Sequence, residues 1–189
     1  MHQIISKRDP NIRIDVPRSA RYLGADRWHL FGVADCEIHI FVEADRQKNV
    51  KRYYWIQFES YLPEYPDYFY EYKKGHNEQI AGLDFNLRAR FGLSAETPKA
   101  GSDLEHALQL ITARGYKLPA DLMNVRFVHL TDASKRKELM VIYAEDMAPT
   151  GFSTAALIAG GKIRPEWSAI EAQLLARAKK KLGFRPGNN

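Results

Sequence analysis

Two runs, 28–44 ("WHLFGVADCEIHIFVEA") and 51–62 ("KRYYWIQFESYL"), are separated by only the six residues "DRQKNV". Both are dense in β-branched and aromatic residues, whose side chains fit a pleated surface. Two such runs around a short polar break specify a β-hairpin. A hairpin of this length is not stable alone, so it needs further strands and a covering layer. The rest of the chain must therefore build an antiparallel sheet and whatever packs on it.

Residues 1–27, interrupted by Pro10 and Pro17, predict an irregular or edge-strand lead-in. Pro63 and Pro66 end the second strand, and "YFYEYK" (68–73) predicts a third short one. In 77–92, Ile80, Leu83, Leu87 and Phe91 recur at roughly helical spacing, with Gly82 against it. "SAETPKAG" is expected as a loop. Ser102–Glu105 has the form of a capping box. The helix it opens presents Leu104, Leu108 and Ile111 and stops at Gly115. A second hairpin follows, "NVRFVHLT" and "ELMVIYAED" around "DASKRK". Its arms are apolar on both faces, which suits central strands. "FSTAALIAGG" predicts a short helix, and 164–183 a long one with stripe Trp167, Ile170, Leu174, Ala178 and Leu182. Pro165 and Glu166 suit that helix's first turn, its lysines the last, and Gly183 its end.

The expected fold is α+β: a curved antiparallel sheet built from hairpins, with helices on one face and a long C-terminal helix. Residues 28–183 form the domain, 1–27 its lead-in and 184–189 a tail. The layout resembles helix-grip and cystatin-like domains, in which a curved sheet wraps a helix. The likeness is one of layout, and such folds host many functions.

With 189 residues the chain is expected to form one domain. A single cysteine, Cys36, excludes a disulfide within the chain and fits a reducing compartment. The start, "MHQIISKRDP", has no apolar core of a secretory signal. No stretch approaches 18 apolar residues. The expectation is a cytoplasmic protein with no membrane partner. The net charge of +5 is a mild bias towards anionic partners.

Alternation within the first hairpin predicts a core side of Ile38, Ile40 and Val42 with Tyr54, Ile56 and Phe58. The other side then carries Glu37, His39, Phe41 and Glu43 with Tyr53, Trp55, Gln57 and Glu59. One register pairs Phe41 with Trp55, His39 with Gln57 and Glu37 with Glu59; a shift by two residues is also allowed. Carboxylates, an imidazole and an amide among large rings suit a ligand pocket. The candidate ligand-binding residues are therefore Glu37, His39, Phe41, Tyr53, Trp55, Gln57 and Glu59, with Glu37, His39 and Glu59 as acid–base groups should it be an enzyme. The alternative is an exposed sheet face whose acids pair with lysines.

Cys36 is expected as a small buried hydrophobe, His129 as a hydrogen-bonded core histidine, and His106 as solvated. No metal site and no cofactor is expected, since no metal-ligand, phosphate-loop or nucleophile-elbow motif occurs. Basic residues cluster at Arg46–Arg52, at Lys135–Lys137 and at Arg177–Lys181. Three functions compete: a small-molecule binder, a nucleic-acid or acidic-partner adaptor using those basic turns, and a structural or oligomerising module. In the last, Tyr68, Tyr70 and Tyr72 share one face of an edge strand that pairs in a homodimer or rims the pocket. Its alternative is a monomer whose tyrosines pack within the chain.

Overall fold

A computed structural model describes residues 2–6, 9–94 and 97–187. In chain order the strands before the first helix are β1 (Gln3–Ser6), β2 (Ile12–Asp15), β3 (Arg21–Leu30), β4 (Ala34–Ala44), β5 (Val50–Tyr61), β6 (His76–Ile80) and β7 (Leu83–Leu93). Then come α1 (Asp103–Thr112), β8 (Asp121–Leu130), β9 (Lys137–Asp146), α2 (Thr154–Leu157), β10 (Ile158–Ala159), β11 (Lys162–Ile163), α3 (Glu166–Lys181) and β12 (Gly183–Pro186). Seven strands form one open antiparallel sheet in the order β3-β4-β5-β9-β8-β7-β6. The class is α+β. Among the described residues no helix is long and apolar enough to cross a membrane.

The hairpins β4–β5 and β8–β9 form as their composition predicts. β9 lies between β5 and β8, so its apolar residues are covered on both faces. On one face Phe41, Ile56, Phe85, Phe127, Val141 and Tyr143 pack with Trp167, Leu174 and Ala178 of α3. On the other Ile38, Ile40, Trp55, Val128 and Met140 pack with Ala107 and Ile111 of α1. The helices therefore lie on both faces, not on one. The sheet is apolar on two sides and each side needs cover.

α1 begins as the capping residues predict. Ser102 Oγ accepts the Glu105 amide at 3.4 Å. Glu105 accepts the Gly101 amide at 2.6 Å, one residue earlier than a capping box requires. In α3 Trp167, Leu174 and Ala178 are the buried positions, spaced as the expected stripe.

Four expectations are overturned. The first is the helix at 77–92, where the β6–β7 hairpin stands instead. Ala81 and Gly82 have φ of 52° and 80°, the two-residue turn that fits strand twist. Leu83, Phe85, Leu87, Ala89 and Phe91 then alternate onto the α3 face. The second is the single run 28–44. Phe31 (φ 48°) and Gly32 (φ 73°) turn the chain, so Trp28 on β3 pairs with Cys36 on β4.

The third is the free tail; of the two forms expected for the lead-in, irregular or edge strand, the strand form is present. β1 and β12 both pair with β2, and Phe184 packs on the α3 core. Asn188 and Asn189, and Ala95 and Glu96 of the loop expected at 94–101, lie outside the described residues. The fourth is the strand at 68–73. The chain there crosses the α1 face without joining the sheet, and the edge strands are β3 and β6.

Candidate functional site

The register of the first hairpin decides which side chains share a face. Ile40 pairs with Trp55, Val42 with Tyr53 and Ile38 with Gln57. This is one residue from the expected parity, and a one-residue slip moves a whole strand's side chains to the opposite face. The seven candidates therefore divide. Tyr53, Trp55, Gln57 and Glu59 stand on the α1 face, while Glu37, His39 and Phe41 stand on the α3 face. Glu37 and His39 cannot act with Glu59 on one substrate. They form their own group: His39 Nε2 lies 3.0 Å from Glu37, His39 Nδ1 3.1 Å from the Tyr22 hydroxyl, and Arg27 pairs with Glu37 at 2.6 Å. Burial holds the His39 pKa below the usual histidine range, with Glu37 pulling the other way.

On the α1 face the polar residues form a connected cluster. Glu59 faces Glu138 directly across β5 and β9. Tyr70 donates to Glu59 at 2.6 Å, and Gln57 donates to its other oxygen at 2.8 Å. Trp55 Nε1 donates to Gln57 Oε1 at 2.8 Å, which fixes the indole. The Tyr72 hydroxyl donates to Glu138. Burial, opposed by Tyr72 and reinforced by Glu59, pushes Glu138 up to about 8. Burial and Glu59 push Asp103, the first residue of α1, up to about 6.

Cys36, Glu59 and Asp103 bring three potential metal-donor atoms within 4.8 Å of one another. Both Glu59 oxygens are taken by hydrogen-bond donors, and burial pushes the buried Cys36 thiol far above its ordinary value. Burial holds Cys36 and Asp103 of this cluster towards their protonated forms, and both Glu59 oxygens are engaged in its hydrogen-bond network.

The tyrosines at 65–72 lock this segment to the sheet. Arg136 donates to the carbonyls of Leu62, Tyr65 and Tyr68 at 2.8, 2.5 and 3.0 Å. Tyr61 stacks on Tyr70 with centroids 4.4 Å apart. Tyr70 is buried, whereas Tyr68 and Phe69 are exposed. Replacing Tyr70 with Phe leaves a buried Glu59 oxygen without its donor. The expected loss is about 1–3 kcal/mol by urea denaturation. A change within about 0.5 kcal/mol, the scatter of ordinary surface substitutions, would show that the hydroxyl does not hold the segment.

Beside this cluster lies a groove of about 300 Å³. Tyr53, Trp55 and Asn124 line its floor, Leu104 and Leu108 of α1 one wall, and Arg90 of β7 the other side. Tyr53 is 8% exposed and lines the groove, and its hydroxyl makes no hydrogen bond among the described residues. Burial pushes its pKa up to about 12. Arg88 pairs with Arg126 across β7 and β8, and Arg90 with Asn124. Their neighbours Leu87, Ala89, Val125 and Phe127 belong to the α3 core, so these four face the groove side. Burial first, then the charges of Arg88 and Arg126, hold the Arg90 pKa below the usual arginine value.

The remaining candidates are mostly committed. His106 is not solvated: it stacks on Trp28 at 4.2 Å and bonds Asp26 at 2.7 Å. His129 bonds the Asp84 carbonyl at 2.9 Å but is partly exposed. Cys36 is buried. Arg52, Arg177, Lys179 and Lys181 of the basic clusters pair with Glu145, Glu43 or Glu78, and Arg136 serves the tyrosine segment.

The residues missed were Asn124, Arg126, Arg88, Arg90 and Glu138. Alternation would have found Arg88 and Arg90 once 83–93 was read as a strand, since they are its polar face. The chain matches no protein-family model, no curated protein and no solved structure.

Proposed function

We propose that the chain binds a small organic molecule in the groove between α1 and β7. One observation carries the reading: Tyr53, Trp55 and Asn124 floor a groove walled by Leu104, Leu108 and Arg90, so a few polar groups stand at fixed places among apolar side chains. The Tyr53 hydroxyl makes no hydrogen bond within the chain among the described residues, so it is free to bond a ligand. The volume, about 300 Å³, is at the small end for ligand sites. Mixed apolar walls with a few placed polar groups are what such sites use. Two of the seven expected residues, Tyr53 and Trp55, contribute here, and Gln57 bonds the Trp55 indole. The layout's likeness to helix-grip domains adds nothing to this reading, because α3 covers the opposite face.

The basic turns favour the nucleic-acid reading less, since several of their cations are paired within the chain. The test is an amide NMR titration with 4-phenylphenol and a fragment library. Shifts are expected at Tyr53, Trp55, Leu104, Leu108 and Asn124. Perturbations confined to other surfaces, or none at millimolar concentrations, would remove the groove as the site.

A further inference from the structure

We infer that the groove takes an organic anion, a carboxylate or phosphate ester on an apolar body, with Arg90, which lines it, and Arg126 and Arg88 of the adjoining row on the same face holding the charged group. This rests on the groove being the binding site. The register carries it. One row across the sheet reads Trp55, Ile142, Arg126, Arg88. The next reads Tyr53, Ala144, Asn124, Arg90. Each row runs from an aromatic ring through an aliphatic side chain to a polar or cationic end. Strands lie about 4.8 Å apart, so Trp55 and Arg126 stand about 10 Å apart across two spacings, and Tyr53 and Arg90 about 14 Å across three. A flat ligand of the shorter length covers the apolar end and presents an acid to the arginines.

The arginines need such a partner. Like charges opposite one another on neighbouring strands destabilise a sheet. Among the described residues no carboxylate lies within 4.0 Å of Arg88, Arg90 or Arg126, whereas the half-buried Arg52 and Arg177 are each paired. Arg126 is also held in place: its guanidinium lies 4.6 Å from the Tyr72 ring centre, and Tyr72 is fixed by Glu138. Its Nε is buried without a hydrogen bond. A guanidinium stacked on a ring keeps its in-plane donors free for bidentate capture of a carboxylate or phosphate. Asn124 and the Tyr53 hydroxyl offer neutral bonds alongside.

The test is calorimetric titration with three ligands of one shape: 4-phenylbenzoate, 4-phenylphenyl phosphate and the neutral 4-phenylphenol. Both anions are expected to bind at least about tenfold more tightly than the phenol, the scale of one charge-assisted bond. The phosphate ester's being tighter would identify phosphate esters as the class, the benzoate's being tighter carboxylates. In Arg88→Gln/Arg126→Gln the anions should fall to the phenol's affinity while the phenol is unchanged. Arg90→Gln, at an exposed side chain, gives the same comparison if the double variant does not fold. Equal binding of all three ligands, or a preference that survives the substitutions, overturns the anion inference. If the phenol still maps to the groove, the binding reading stands; if no ligand maps there, both fall.

Discussion

Glu138→Gln is expected to flatten the fall in stability with rising pH between about 4.5 and 8. Glu138 is buried opposite Glu59, and its pKa is pushed from 4.5 up to about 8. A raised folded value means that the folded chain binds the proton more tightly than the unfolded chain. Stability from this group is therefore full below the unfolded value and lost as pH rises through the folded one. The shift corresponds to a loss on the order of a few kcal/mol. Gln is close in shape to the neutral acid and still accepts from Tyr72. The variant should match the parent at pH 5 and exceed it at pH 9. Urea midpoints at pH 5, 7 and 9 decide it; parallel curves would mean that Glu138 ionises in the folded state at little cost.

That arrangement was only partly legible in the sequence. Tyr70 and Tyr72 were recognisable as rings that want a dry base and a wet tip. Their hydroxyls reach Glu59 and Glu138, residues 11 and 66 positions away, which no local pattern reveals. Glu138 opens the apolar run "ELMVIYAED", and nothing in that run marks it as a paired acid. The paired carboxylates were expected on one face, but between Glu37 and Glu59. The register gave Glu59 a different partner, on the other flank of β5.

The sheet's two-sidedness explains the other errors. Where both faces are covered, the central runs Ile40–Val42 of β4 and Tyr53–Ile56 of β5 are apolar or aromatic at every position, and alternation loses its power to fix parity. Phe41 and Trp55 are both buried, in different cores, so either parity kept apolar with apolar. The hairpin at 76–93 failed for a different reason. Leu83, Leu87 and Phe91 satisfy a spacing of four, which helix and strand share. Gly82, counted against the helix, was the turn itself. α3 was legible because its end signals and stripe agree, and no strand reading competes.

α3 therefore carries the second large effect: Leu174→Ala is expected to cost about 2–5 kcal/mol, since the side chain is fully buried. The helix covers the face built from Ile56, Val125, Val141 and Tyr143, and its Ala178 and Trp167 fill positions one turn or more away. None of these neighbours can enlarge to fill the void, so the transfer and cavity losses add. The groove lies across the sheet, on side chains that point away from α3. Well below its midpoint the variant should therefore bind 4-phenylbenzoate as the parent does. Urea denaturation and calorimetric titration on one preparation separate the two faces. A loss below about 0.5 kcal/mol would make α3 peripheral, because surface substitutions change stability by no more than that. A parallel loss of binding would mean that the two faces do not pack independently and that the groove's shape depends on the α3 core.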